Sequence, residues 1–343
     1  MTAATRATRV GEDLNRALHT VLERDPAAYF LGEDVADPYG GAFKIAAGLS
    51  SRFPDRVLST PISEGGIAGA GAGLALMGDT AIVEMMFADF VTLALDHVLN
   101  FAGKSVAMYG RRVPMRLIVR CPTGGNRGYG PTHSQSLQKL FLGFPGINVF
   151  EVSPFHPNEA LFETMLAAAE PCVLFEDKVL YTRPMFADGI VDDLLRYELL
   201  PGTPGGGPIA RVFAVDDAPP DWVLLAPGGL TDRVCGALRS LLLDEELSCQ
   251  ALVPSRLYPF DLDPLLPLLA GARRICVVED GTAGGSWGET VAQAVHRALW
   301  GALTAPVLTV HAAQLPIPAA GHLEREVLVQ QTTIHSAVLE ASR

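Results

Sequence analysis

Apolar positions in the first half of the chain follow two alternating rhythms. The stretch "VGEDLNRALHTVLERD" repeats them at the three- and four-residue spacing of an amphipathic helix. Short apolar runs follow: "AYFLGED", "DRVLSTP", "TAIVEMM", "PMRLIVRC", "INVFEV" and "CVLFED". Each reads as a strand, and helical patterns near 64–77, 91–108 and 157–169 separate them. Strands that alternate with helices imply a parallel sheet covered on both faces.

The stretch "PGTPGGGP" (201–208) then interrupts both rhythms, because so many glycines and prolines can continue neither element. Beyond it "DWVLLAPG", "CQALVPS", "RRICVVED" and "APVLTVH" read as strands, with helices near 230–243, 262–270 and 287–300. The expected fold class is therefore α/β, in two three-layer α/β/α domains. Residues 1–190 form the first, 209–343 the second, and 191–208 a Gly/Pro-rich linker.

Composition narrows the function. A chain of 343 residues, 49% hydrophobic, has ample material for two cores without staples. The net charge of −12 and the scatter of basic residues argue against nucleic acid or an anionic membrane as partner. Five widely spaced cysteines with no C-x-x-C suit a reducing compartment and argue against structural zinc, so no metal ligands are assigned. The start "MTAATRATRV" lacks a signal-peptide core, and no apolar window is long enough to span a bilayer, which leads to the expectation of a cytoplasmic protein.

Candidate chemistry concentrates in "TPISEGGIAGAGAGLALMG" (60–78). Gly65, Gly69 and Gly73 share one helical face open to close approach. Each costs about 1 kcal/mol relative to alanine, which a neighbouring helix, subunit or ligand must offset. Glu64 in the first turn interacts well with the helix dipole, which alone would explain it. It also sits where a parallel strand gives way to a helix, the crevice in which open α/β sheets place ligands. No G-x-G-x-x-G can be drawn there, which disfavours a simple nicotinamide enzyme. His133 lies in "GGNRGYGPTHSQS", a loop too polar and glycine-rich for packed core. One rival chemistry is a serine hydrolase, since "GGSWG" fits G-x-S-x-G with Ser286 as nucleophile. Against it, the preceding strand ends well before the serine and no aspartate follows to complete the usual triad order.

The segments "LGEDVADPYGGAFKIAAGL", "RVLSTPISEGGIAGAGAGLALMG", "VEMMFADF", "GYGPTHSQS" and "PCVLFEDKVLY" occur in an order and spacing that resembles the β subunit of the thiamine-diphosphate-dependent 2-oxo acid dehydrogenases. "SRLYPFD" and "RRICVVEDGTAGGSWGETVAQAV" resemble that family's second domain, so the likeness covers nearly the whole chain. The resemblance implies a transketolase-like pyrimidine-binding domain followed by a transketolase C-terminal-like domain. It implies that Glu64 meets N1′ of the cofactor's aminopyrimidine, that Ile62, Met86 and Phe90 pack on that ring, and that His133 serves substrate binding and proton transfer. It further implies decarboxylation of a 2-oxo acid with acyl transfer to lipoamide.

The family's G-D-G motif for diphosphate and magnesium is missing, since "MGDTAIV" has no second glycine. In two-chain members the α subunit holds the diphosphate and Mg2+, so the implied assembly is an α2β2 heterotetramer. By the same resemblance the second domain supports dimerisation and docking of a dihydrolipoyl acyltransferase. Thr132 replaces a glutamine common in relatives, and the shorter turn "AAAEPCV" leads us to expect no bound potassium. Two alternatives stay open at this level. One is a two-chain thiamine-dependent decarboxylase or acyloin-forming enzyme, and the other a subunit that kept the fold and lost catalysis. Retention of Glu64, Phe90 and His133 speaks against the latter.

Overall fold

The structure is a computed structural model that describes residues 7–203 and 205–343. Residues 1–6 of the stretch "MTAATRATRV" and Pro204 of the expected linker lie outside the described residues. Thirteen strands are found among them: β1 (Ala28–Glu33), β2 (Val57–Thr60), β3 (Thr80–Glu84), β4 (Leu117–Thr123), β5 (Asn148–Glu151), β6 (Cys172–Asp177), β7 (Leu195–Leu200), β8 (Ile209–Ala214), β9 (Trp222–Leu225), β10 (Cys249–Pro254), β11 (Arg256–Tyr258), β12 (Arg274–Thr282) and β13 (Leu308–Ala312). The first sheet runs β11-β5-β6-β4-β3-β1-β2 and the second β13-β12-β9-β10-β8-β7. In the first, β1 to β6 are mutually parallel. In the second, β13, β12, β9 and β10 are parallel, while β8 and β7 close the edge antiparallel.

Alternation along the strands explains the layering. Phe30, Ile82, Ile118, Phe150 and Leu174 point to one face of the first sheet and pack with helices Val10–Arg24 and Asn158–Ala168. Their neighbours Leu31, Val83, Val119, Val149 and Val173 point to the other, where helix Glu64–Met77 lies. That second cluster continues without a break into Val223, Leu225, Leu252, Ile275 and Val277 of the second sheet, so the two halves share one core layer. The outer face of the second sheet carries Leu224, Ala251 and Val278 against helices Thr231–Glu245 and Gln331–Ser342. The two three-layer α/β units expected from the sequence are thus present.

Three features differ from expectation. Residues 195–200, inside the expected linker, are strand β7 and pair with β8 in the second sheet, so 191–208 is not a connector throughout. The single helix expected over 91–108 is instead a 3-10 helix (Ala88–Ala94), a π-helical stretch (Asp96–Ala102) and a short α-turn (Gly103–Ser105). This segment packs into the glycine helix, with the Leu93 carbonyl 3.1 Å from where a Gly65 Cβ would stand and the His97 ring 3.2 Å from one at Gly69. Finally, β11 leaves the second half to pair antiparallel with β5, so the chain's later half completes the edge of the first sheet.

Candidate active site

Helix Glu64–Met77 begins three residues after β2 and ends at Gly78, whose φ of 105° favours glycine. Glu64 is its first residue and is 5% exposed. Glu33, the last residue of the neighbouring β1, is equally buried, and its Oε1 has no hydrogen-bond partner among the described residues. Burial pushes the Glu33 carboxyl up, the nearby Glu64 charge adds to this, and a hydrogen bond from the Ser63 backbone opposes it. Two carboxyl groups therefore share the mouth where β1 and β2 end. Around the helix start the apolar side chains stay open: Ile62 is 81% and Leu93 63% exposed.

β3 leads into the second part of the site. Met86 and Phe90 are half-buried, whereas Met85 turns into the core. Between them Phe87 gathers an aromatic cluster. Its ring makes edge contacts with His133 at 4.7 Å, Phe43 at 5.4 Å, Tyr129 at 5.7 Å and Phe90 at 6.2 Å between centroids. His133 also meets Phe90 edge-on at 5.2 Å, and Thr132 Oγ1 lies 2.8 Å from its Nδ1. His133 and Phe90, expected together, are thus in direct contact, and Phe87 joins them although the sequence reading passed it over. Ile62 stands exposed beside Glu64 instead of packing within the chain.

The loop that carries His133 is tied down from both halves. Asp89 Oδ1 accepts from Gln135 Nε2 at 2.8 Å, and Thr123 Oγ1 donates to the Gln135 carbonyl at 2.9 Å. Glu324, from helix Gly321–Val327, accepts the backbone N–H groups of Asn126 at 2.9 Å and Gly128 at 3.0 Å. Beneath lies a buried ion network at the strand ends. Arg120 grips Glu176 with Nε and Nη2, both at 2.7 Å, and pairs through Nη1 with Glu84, while Tyr181 donates to Glu176 at 2.8 Å. Burial pushes the Glu84 carboxyl up against the pull of Arg120. Burial works against the Arg120 charge too, but Glu176 and Glu84 outweigh it and hold the guanidinium above its ordinary value.

The structure overturns the hydrolase alternative. Ser286 Oγ lies 3.2 Å from His311 Nε2, yet Glu279 Oε1 meets that same nitrogen at 3.0 Å. A triad places the acid on the opposite ring nitrogen. Ser286 is buried and caps helix Trp287–Leu299 in a capping box, accepting from the Glu289 backbone at 3.3 Å while Glu289 accepts from Ser286 N at 3.1 Å. Its work is structural.

The family model described as "Transketolase, pyrimidine binding domain" matches residues 7–184, and "Transketolase, C-terminal domain" matches 214–334. This chain belongs to the transketolase family. It is 27% identical to the pyruvate dehydrogenase E1 component subunit beta of Rickettsia bellii, over 96% of this chain and 97% of that one. It is 28% identical to the mitochondrial counterpart of Dictyostelium discoideum, covering 98% and 91%. With the mitochondrial beta-1 subunit of Oryza sativa subsp. japonica it shares 29%, covering 99% and 88%. Among solved structures, a split-gene transketolase in an inactive β4 tetramer superposes with a TM-score of 0.70 at 17% identity, covering 98% of both chains.

A pyrimidine-binding domain of this family implies thiamine diphosphate as cofactor, and the chain is a transketolase-like, E1-β-type subunit. The residues present suit the pyrimidine half of that group: a buried carboxyl pair that includes an unpartnered oxygen, bordered by exposed Ile62 and half-buried Met86 and Phe90. No helix among the described residues is long and apolar enough to cross a membrane.

Proposed function

We propose that the chain is the β subunit of a two-chain thiamine-diphosphate-dependent 2-oxo acid dehydrogenase (E1), working with an α subunit in an α2β2 assembly. It decarboxylates a 2-oxo acid and passes the acyl group to lipoamide. The observation that carries this reading is Glu64, buried beside Glu33 at a strand–helix mouth whose apolar rim is left uncovered.

When bound, thiamine diphosphate supplies the electron sink for decarboxylation. Glu64 would meet the pyrimidine ring and share a proton through its carboxyl oxygen, while Ile62, Met86 and Phe90 hold the ring and keep water from it. The His133 imidazole, wedged edge-on between Phe87 and Phe90, has Nδ1 engaged by Thr132, which leaves Nε2 for proton exchange with substrate. Diphosphate and Mg2+ fall to the α chain, because this chain has no G-D-G motif. Exposed Ile62 and Leu93 are the apolar surface that such a partner would cover.

The test is to co-purify the chain with its candidate α subunit and assay a panel of 2-oxo acids, first with an artificial electron acceptor and then with a lipoyl domain. Reductive acylation of the lipoyl domain supports the reading. Release of free aldehyde or acyloin with no acylation rejects it in favour of the decarboxylase or acyloin-forming alternative.

A further inference from the structure

Lys178 directly follows β6 and is fully buried, yet its Nζ has no hydrogen-bond partner among the described residues. A buried ammonium without a partner is costly, so a structure that keeps one calls for an explanation. Nζ stands over the face of Phe87, 5.4 Å from the ring centroid. Phe87 is the ring whose edge contact fixes His133.

Charged groups reach Lys178 from four directions: Asp177 beside it in the chain, Asp89 from the 3-10 helix, Arg127 from the His133 loop and Glu324 from helix Gly321–Val327. Asp177 is already engaged by the Val179 backbone and by Arg233. Glu324 is occupied by Asn126 and Gly128. Asp89 differs. Its Oδ1 holds Gln135, two residues beyond His133, but its Oδ2 has no partner among the described residues. Among the described residues, a buried ammonium with no hydrogen-bond partner thus feels the charge of a buried carboxylate whose Oδ2 has none. Burial holds the Lys178 ammonium down to about 8 while Asp177 and Asp89 support its charge.

We propose that Lys178 and Asp89 are a positioning pair for His133: Lys178 fixes the Phe87 ring against the imidazole, Asp89 fixes the loop through Gln135, and each offsets the other's buried charge. Removing either member loosens what holds His133: without Lys178 the Phe87 ring loses the cation on its face, and without Asp89 the loop loses its hold on Gln135.

The significance of His133 for turnover rests on the function proposed above, whereas the placement of its ring can be read without turnover, so failure of the pair and failure of that function are separable. The experiment follows His133 by NMR in the full-length, histidine-labelled chain as it assembles, with the resonance assigned from His133→Gln and folding checked by circular dichroism. Lys178→Met and Asp89→Asn each displace the His133 ring-proton resonances, which the neighbouring Phe87 and Phe90 rings govern, and weaken the nuclear Overhauser contact between the His133 and Phe87 rings. Lys178→Arg, which keeps the charge, stays near wild type. Ring resonances and a His133–Phe87 contact that stay unchanged in either single variant overturn the proposal, as does an arginine variant that behaves like the methionine one.

Discussion

Replacing Arg120 by methionine tests the buried network beneath the site. The side chain is fully buried, holds Glu176 by two bonds of 2.7 Å and pairs with Glu84, so its removal strands two buried carboxylates. Breaking such a pair from one side costs about 3–5 kcal/mol, because the remaining charge is left uncompensated. With an unfolding entropy of about 2.1 cal/mol/K per residue over the chain, a loss of about 4 kcal/mol lowers the melting temperature by about 6 °C. The sign of the pH dependence is also set. Glu84 already has a folded value raised above 4.5 by burial, and loss of the cation raises it further. A carboxyl raised in the folded state makes no penalty below its unfolded value and its full penalty above its folded one. The deficit, measured by differential scanning calorimetry, is therefore larger at pH 7.5 than at pH 5. A melting point within about 1 °C of wild type at pH 7.5, or a deficit that ignores pH, would refute the reasoning.

Three further outcomes follow from other sites. Ser286→Ala removes a helix cap and costs about 1 kcal/mol in thermal unfolding while turnover is kept, whereas abolished turnover would restore the hydrolase alternative. Gly73→Ala adds a methyl with nothing within 4 Å, so it stabilises the chain alone by up to about 1 kcal/mol and, in the proposed α2β2 assembly, weakens association with the α subunit; unchanged association in ultracentrifugation contradicts the second part. Glu151 bridges the halves by accepting from Gly229 N at 2.7 Å, and burial pushes its carboxyl from 4.5 to about 7. The folded form therefore keeps a proton that the unfolded form has lost across that window, and stability falls as pH rises through it. Glu151→Gln lacks this contribution, so its melting curve gains on wild type from pH 4.5 to 7; parallel curves would contradict the assignment.

Much of the architecture was legible because burial on both faces makes central parallel strands continuous apolar runs, as in "TAIVE" and "CVLFED". Helix Glu64–Met77 was marked at both ends, by the proline and serine before it and Gly78 after it. β7 was hidden because "LRYELL" carries two charges and lies half-exposed at a sheet edge. β11 is three residues long and exists through a pairing about a hundred residues distant, which no local pattern encodes. At the site, Glu64 and His133 announced themselves by unusual settings, a carboxylate before a glycine helix and a histidine in a polar loop. Glu33, Phe87 and Lys178 did not. Each looks locally like an ordinary strand end, and only the packing of separate strand ends shows that Glu33 stands beside Glu64 while Phe87 joins Lys178 to His133.

The most direct measurement is the turnover of Glu64→Gln in the complex with the α subunit, with assembly and cofactor retention checked alongside. The substitution keeps the size of a side chain that is 5% exposed and removes its ability to share a proton. If Glu64 tunes the pyrimidine as proposed, decarboxylation slows by about 100-fold or more in an intact, cofactor-loaded complex, in line with the contribution of one general acid or base. Turnover close to wild type in that complex would contradict the account.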